Sequence, residues 1–355
     1  MTSGRVKVRR AIASVPFLLI AAWCFHTMDI EKLVVNQQPF VDSGVIKWNY
    51  GEISILDHFH GVDILDQVWR GTTATFSPST LGYDTVGSWQ MFSFLIDLGP
   101  VYAMWLLESC RPTSAHTPAY FPTLFGLAGQ FLGLGPVAPI FYFLCFTFGS
   151  TASDLVRSSV GDRTVRHENS LILLMVVLLF HTSEVLAMFL APDPTTRHFW
   201  TWAWQLAPFW IGVSNLLLSK VFGRLFLYPK AAPSRSPKLL VSVLGLISTG
   251  VWAYTLLYSP HPISTLFVPV AEVQSEFVAH TRKALQADEL AVLGSSLLWL
   301  AYSFFDLHIA GILGSDWMYH VALLPVITAF AGPGAAFVFG WYRRERALSS
   351  DVNRK

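Results

Sequence analysis

The sequence predicts an all-α membrane protein: a polytopic transmembrane helical bundle of seven to eight spans with a long acidic first loop. Eight apolar segments recur along the chain, and each is about long enough to cross a bilayer, which takes about 20 residues. Only 13% of the residues are charged and 53% are hydrophobic, whereas a soluble domain carries about 25% charged residues. Because a lone segment satisfies its backbone hydrogen bonds in lipid only as a helix, each segment is predicted to be helical.

We expect one membrane domain over residues 1–355. It comprises a first transmembrane helix within residues 1–30, a loop over 31–85, a helical bundle over 86–341 and a basic tail over 342–355. The apolar segments are residues 11–29, 86–108, 121–148, 169–191, 198–219, 238–259, 288–314 and 317–341.

Basic residues at both ends predict that both termini are cytosolic, which suits an even number of spans. The first segment follows four basic residues as in a signal peptide, but no small-x-small cleavage site follows it, so we expect an uncleaved helix. Eight simple spans would, however, place the basic stretches 157–166 and 220–238 outside. Either the segment 121–148, interrupted by Gly133, Gly135 and Pro136, is therefore re-entrant, or the rule that basic loops are cytosolic does not hold for this chain.

The loop over residues 31–85 is acidic but also contains aromatic residues such as Trp48 and Trp69. That aromatic content argues against simple disorder. It predicts either a lid over one mouth of the bundle or a solvated connector.

Charge and cysteine content exclude several classes of function. The net charge is +1 and no basic block predicts nucleic-acid binding. The three cysteines, Cys24, Cys110 and Cys145, have no metal or redox spacing. We expect no metal and no cofactor.

Asp306 is the first candidate for a catalytic group, because it lies in an apolar segment behind Trp299 and Tyr302. Spacings of three, four and seven residues place both rings on the Asp306 face of a helix. An ionisable group in hydrocarbon costs several kcal/mol and therefore predicts a functional site. A neutral carboxyl flanked by aromatic rings could donate a proton and then stabilise a carbocation.

Other ionisable groups in apolar segments are further catalytic candidates, each with a structural alternative. Asp97 could hydrogen-bond a neighbouring helix, and Glu108 could pair with Arg111 at the interface. His181 and Glu184 are three residues apart on one helical face, where they could shuttle a proton or fix helix packing.

Aromatic and amide side chains complete the predicted site. We expect substrate contacts from Trp299, Tyr302, Gln130, Trp105, Trp210 and Asn215. Aromatic faces stabilise cations by about 0.5–2 kcal/mol each. Buried acids and many rings together are what a cation-olefin cyclase requires, because its acid must stay protonated and water must be excluded.

Residues 105–146 resemble fungal integral-membrane terpene cyclases of meroterpenoid pathways, of the ascochlorin, ascofuranone and macrophorin type. The resemblance rests on the helix end from Leu107 to Arg111, on Gln130, and on the stretch from Gly135 to Tyr142. The segments around Glu184 and over residues 304–317 fit the same pattern.

This resemblance implies metal-independent cyclisation of a prenylated aromatic or quinone. Such enzymes protonate an epoxide or a terminal olefin, and a cation cascade closes the rings. It implies acids near the end of an early helix and in a late helix, for which Glu108 or Glu184, and Asp306, are the candidates here. Neither DDxxD nor DxDD, the motifs of the soluble terpene cyclases, occurs in the chain.

Three other functions remain open at this stage: a transporter of a lipophilic small molecule, a sterol-type double-bond isomerase, and a structural membrane protein. For the cyclase, the expected partners are a prenylated aromatic substrate and membrane lipid, without nucleic acid. The expected location is the endoplasmic reticulum membrane. The sequence does not predict the oligomeric state.

Overall fold

Helices form nearly all the regular structure in the computed structural model, which describes residues 3–165, 170–225 and 237–350. Within these ranges the N-terminal half contains α1 Ser3–Ala13, α2 Val15–Met28, α3 Ile30–Ser43, α4 Asp63–Thr80, α5 Thr85–Ser109, α6 Pro122–Leu132, α7 Leu134–Phe148, α8 Ala152–Arg157 and α9 Val160–Arg163. The C-terminal half contains α10 Ser170–Val177, α11 Ser183–Leu190, α12 Pro194–Trp204, α13 Ala207–Leu225, α14 Lys238–Tyr258, α15 Ile263–Phe267, α16 Phe277–Ile309, α17 Trp317–Ala331 and α18 Pro333–Leu348. Much of the basic stretch 220–238 and residues 351–355 of the basic tail lie outside the described residues.

Four of the described helices are long and apolar enough to cross a membrane. They are Thr85–Ser109, Ser170–Leu190, Lys238–Tyr258 and Phe277–Ile309. Residues 4–13 and 15–43 would form a fifth span if they are counted together across their 44° bend. The all-helical class is thus confirmed, whereas the predicted seven to eight spans are not.

Glycines interrupt two of the segments that were predicted to span the membrane. Gly133 has φ of +81° and divides segment 121–148 into α6 and α7, while Gly332 has φ of +91° and divides segment 317–341 into α17 and α18. This left-handed conformation favours glycine and interrupts a helix. Each resulting piece is shorter than the roughly 20 residues that a span requires.

Helix α5 lies at the centre of the protein, and 94% of its apolar 18-residue stretch is buried. Helix α16 packs beside it and has 33 residues, which corresponds to a length of about 50 Å. It begins at Phe277, 11 residues before the predicted start at residue 288. Asp288 and Glu289 are therefore buried in the middle of a long helix rather than at its end.

Residues 30–80 fold into a cap over the bundle, made of α3, the antiparallel strands β1 Val45–Trp48 and β2 Gly51–Ser54, and α4. The strand register pairs Val45 with Ser54 and Trp48 with Gly51. The Trp69 side chain of α4 is fully buried. The Thr75 hydroxyl donates a hydrogen bond of 2.8 Å to the Gln37 side chain of α3, so the cap is a packed structure.

Candidate functional site

A cavity of about 80 Å³ lies among α5, α7, α16 and α18, and we call it the first cavity. It brings together two predicted acids and two predicted aromatic residues: Asp306, Glu108, Trp299 and Trp105. Further lining residues are Arg10, Arg111, Phe141, Tyr142, Phe146, Ser303, Phe337 and Arg344.

Hydrogen bonds fix the aromatic wall of the first cavity. The Trp105 indole N–H donates to the Tyr142 hydroxyl at 2.8 Å, and this hydroxyl also bonds the Ser296 hydroxyl at 2.8 Å. Trp299 stacks on Tyr142 with ring centroids 5.5 Å apart. Because three helices and a hydrogen-bond chain hold these rings, their faces are fixed relative to the cavity.

Asp306 lies in an ion pair on this wall. The Arg10 guanidinium donates to both carboxylate oxygens, at 2.8 and 3.1 Å, and also to the Phe146 carbonyl at 2.7 Å. It stacks on the Phe146 ring at 3.8 Å. A cation at this distance favours the charged carboxylate, whereas the proton-donor role predicted from the sequence requires the neutral acid.

Glu108 lies in a second, more buried network. Its carboxylate accepts hydrogen bonds from Arg111, from Arg344 and from the Trp341 indole, each at 2.7 Å at its shortest. Arg111 also pairs with Glu345 at 2.7 Å. The pair with Arg111 that the sequence offered as a structural alternative is therefore present, although Glu108 also lines the cavity.

Asp97 does not line the first cavity. Its two oxygens accept hydrogen bonds from the Ser248 hydroxyl, at 2.6 Å, and from the Gly334 main-chain N–H, at 2.9 Å. Asp97 therefore links α5 to α14 and to the start of α18. This is the structural role that the sequence left open.

His181 and Glu184 do not form the expected pair. The His181 ring bonds the Leu95 carbonyl at 2.7 Å and accepts from the Trp204 indole at 3.1 Å. One carboxylate oxygen of Glu184 is buried without a hydrogen-bond partner among the described residues. The physical reason is a π-helical turn over Leu178–Thr182, in which the spacing of side chains differs from that of an α-helix.

The other predicted substrate contacts are dispersed. The Tyr302 hydroxyl donates to the Ala13 carbonyl at 2.7 Å, so Tyr302 holds the N-terminal helices rather than the cavity. Trp210 is 41% exposed, contrary to the expected inward packing. Asn215 is half-buried on α13, outside the first cavity. Gln130 lines a different cavity.

That second cavity, of about 370 Å³, lies between the cap and the bundle. Gln130 lines it together with Tyr102, and their side chains are 3.4 Å apart. Its only lining carboxyl among the described residues is Asp288, which sequence reasoning missed. The predicted apolar segment began at residue 288, but α16 begins 11 residues earlier, at Phe277, so Asp288 and Glu289 stood at a segment end and were not considered as buried acids.

No group of three or more His, Cys, Asp or Glu residues in the described part of the chain is arranged to hold a metal ion. The three cysteines are free.

A family model described as the CtvD domain matches residues 49–349. The chain is similar to the FAD-dependent monooxygenase verC1 of Penicillium polonicum, with 28% identity over 97% of this chain and 43% of that protein. It is similar to the FAD-dependent monooxygenase anuJ of Penicillium roqueforti, with 26% identity over 89% of this chain and 39% of that protein. It is also similar to the terpene cyclase ascI of Acremonium egyptiacum, with 26% identity over 64% of this chain and 58% of that protein.

The chain thus spans less than half the length of these two monooxygenases. No solved structure matches it significantly.

Proposed function

Because the chain belongs to the CtvD-domain family, we propose that it is a membrane-bound cyclase for an epoxidised, farnesyl-type lipophilic substrate, with the first cavity as its active site. One observation carries the proposal: a single cavity holds Asp306, Glu108 and the rings of Trp105, Tyr142 and Trp299. Carboxyl groups beside fixed aromatic faces are what a cation cascade requires.

The relatives support both the reaction and the state of the substrate. One is named a terpene cyclase. Two others are named FAD-dependent monooxygenases, and more than half of each lies outside the match to this chain. Oxygen insertion into an olefin produces an epoxide, so these names favour an epoxide over an olefin as the group that is protonated.

Asp306 is the proton donor in this proposal. While Arg10 is paired with it, the carboxylate can only accept hydrogen bonds, so the bound substrate must displace the guanidinium. The Phe146 carbonyl and ring already contact Arg10 and can retain it. A buried carboxylate without a cation is costly and takes up a proton, which it then delivers to the epoxide oxygen.

The remaining steps need no other reactant. The epoxide C–O bond breaks as its oxygen becomes a hydroxyl, and neighbouring double bonds attack in turn to form carbon–carbon bonds. The final cation loses a proton, so the product has the mass of the substrate. Glu108, which Arg111 and Arg344 hold as a carboxylate, lies in the same cavity as the migrating positive charge and stabilises it.

The decisive experiment supplies microsomes containing this chain with an epoxyfarnesyl arene, without added metal or nucleotide. We expect a cyclic product of unchanged mass. A product heavier by one water would indicate epoxide hydrolysis. Gradient-dependent uptake would indicate a transporter, and a shifted double bond without a ring would indicate an isomerase.

A second candidate, flavin-dependent oxygenation, is favoured by the names of the monooxygenase relatives. The same microsomes separate the two. A product heavier by one oxygen atom, formed only with NADPH and O₂, would support the monooxygenase and contradict the cyclase.

A further inference from the structure

We propose that the second cavity is a separate binding site for a neutral, lipophilic small molecule, with an oxygen atom of that molecule hydrogen-bonded to Asp288. This inference does not depend on the cyclase, since it concerns binding at a different place. Three features of the described residues carry it: the lining of the cavity, the contacts of Asp288 and the distance to Asp306.

The lining favours an uncharged ligand. No arginine, lysine or histidine contributes to the wall among the described residues. Apolar side chains from the cap and the bundle dominate, with Gln37, Gln130 and Thr75 among the few polar ones. A concave site of mostly apolar residues with a few placed polar groups is the usual form of a small-molecule pocket.

Among the described residues, Asp288 is the one carboxyl on this wall. Its side chain accepts a hydrogen bond from the Gly135 N–H through one oxygen. The other oxygen has no hydrogen-bond partner among the described residues, yet it is not sealed within protein. The residue is only 8% exposed. A buried carboxyl without a cation is least costly as the neutral acid, which can donate its O–H to an oxygen of the ligand.

The backbone around Asp288 is shaped for this contact. A Cβ atom on Gly135 would lie 2.7 Å from the Asp288 carboxylate oxygen and 2.8 Å from its Cα. Only glycine therefore allows the first turn of α7 to approach the carboxyl so closely. The approach leaves one oxygen held by the main chain and the other available to a ligand.

The distance along α16 separates this site from the first cavity. Asp288 and Asp306 are 18 residues apart in one helix, which corresponds to roughly 27 Å along its axis. The two carboxyls cannot act on one atom. A ligand bound at Asp288 is therefore a second ligand, or the same molecule at an earlier stage of its path.

The test measures binding of two probes, farnesol and its saturated hydrocarbon counterpart farnesane, to the purified full chain in lipid nanodiscs. We expect wild-type protein to bind farnesol more tightly than farnesane. Asp288→Ala should weaken farnesol binding about tenfold, the equivalent of one hydrogen bond to a buried group, and leave farnesane unchanged. Asp288→Asn should stay within about threefold of wild type for farnesol, because its amide can accept from Gly135 and donate to the ligand.

Two further variants locate the site. Thr72→Trp, in the α4 wall of the second cavity, should abolish binding of both probes to that cavity, whereas Asp316→Asn, at an exposed position outside both cavities, should alter neither. A photoreactive farnesol analogue should label peptides from α3, α4 or the first half of α16. The proposal is overturned if labelling is confined to the first cavity, or if Asp288→Ala weakens both probes equally.

Because no turnover is measured, these outcomes are distinct from success or failure of the cyclase assay. Protein that binds farnesol at Asp288 but forms no ring would retain this inference and lose the proposed function. Protein that forms rings but binds neither probe in the second cavity would do the reverse.

Discussion

The carboxyl groups that line the first cavity are paired with arginines, whereas the carboxyl that lines the second cavity meets a main-chain N–H and no cation among the described residues. Asp306 and Asp288 belong to the same helix. The difference arises from what packs against that helix. Arg10 of α1 pairs with Asp306 near one end, whereas the main-chain N–H of Gly135, in the first turn of α7, contacts Asp288 in the other half. The electrostatic surroundings of a buried acid thus depend on its tertiary neighbours rather than on its own segment.

The largest expected effect tests the first cavity. Asp306→Asn preserves size and hydrogen bonding but cannot donate the proton, so turnover of an epoxyfarnesyl arene should fall by at least about 10²-fold, the lower range for general acid catalysis. Asp316→Asn, at an exposed position just before α17, is the matched control and should remain near wild type. If a correctly folded Asp306→Asn protein turned over at the wild-type rate, Asp306 would be a structural residue.

A second prediction concerns the stability of the paired charges. Arg111→Met leaves Glu108 and Glu345 buried without this partner, which should lower the free energy of unfolding by about 3–5 kcal/mol. Lys47→Met breaks an exposed pair with Glu52 and should cost no more than about 1 kcal/mol. Thermal unfolding in detergent would compare them. Equal melting temperatures for Arg111→Met and Lys47→Met would mean that the ion pairs of Arg111 with Glu108 and Glu345 do not stabilise the fold.

Product distribution gives a subtler test. Trp299→Ala removes a fixed ring from the first cavity and should release early-quenched, partly cyclised products while initiation continues, since a cation–π contact contributes about 0.5–2 kcal/mol. Trp210→Ala, at a position 41% exposed outside the first cavity, should leave the product ratio unchanged. Chromatography with mass spectrometry would measure both. An unaltered product ratio for Trp299→Ala would show that the Trp299 ring does not stabilise the cation during the reaction.

The smallest expected effect concerns the cap over the second cavity. Asp66 of α4 is buried, which alone would raise its pKa, but the main-chain N–H groups of His60 and Phe59 lower the pKa below its ordinary value. A depressed carboxyl pKa stabilises the fold above the ordinary Asp pKa, and this contribution is lost as the pH falls through the lowered value.

Amide hydrogen exchange in residues 55–66 should therefore accelerate as the pH falls from about 6 to about 2, after correction for intrinsic exchange rates. After the same correction, the Asp66→Asn protein should not show this acid dependence, because it has no carboxyl group at this position. Identical pH profiles for the two proteins would show that Asp66 does not hold the cap.

Local periodicity identified part of this arrangement from the sequence. Trp299 and Asp306 are seven residues apart in one helix, and both line the first cavity. Composition likewise predicted an all-helical protein, and four of its described helices could cross a membrane. Both inferences depend only on residues close in the chain or on averages over it, which is why they did not require the tertiary structure.

The remaining features depend on contacts that no local pattern encodes. Arg10 is 296 residues from Asp306, and no local pattern predicts the ion pair between them. The number of spans was overestimated because hydropathy does not register the left-handed backbone at Gly133 and Gly332. Asp288 was missed because the start of a helix was placed by its apolar content rather than by its packing.

The π-helical turn over Leu178–Thr182 has a consequence for sequence length. A turn closed by bonds from residue i to i+5 contains one residue more than an α-helical turn. Most single-residue deletions in a buried helix rotate everything beyond them by about 100° relative to the preceding face. Deleting Leu179, whose side chain is 60% exposed, can instead be absorbed by conversion of the wide turn to an α-turn. Among single-residue deletions along Ser170–Leu190, we therefore expect only those within this turn to keep the helix faces before and after it in their present relative orientation.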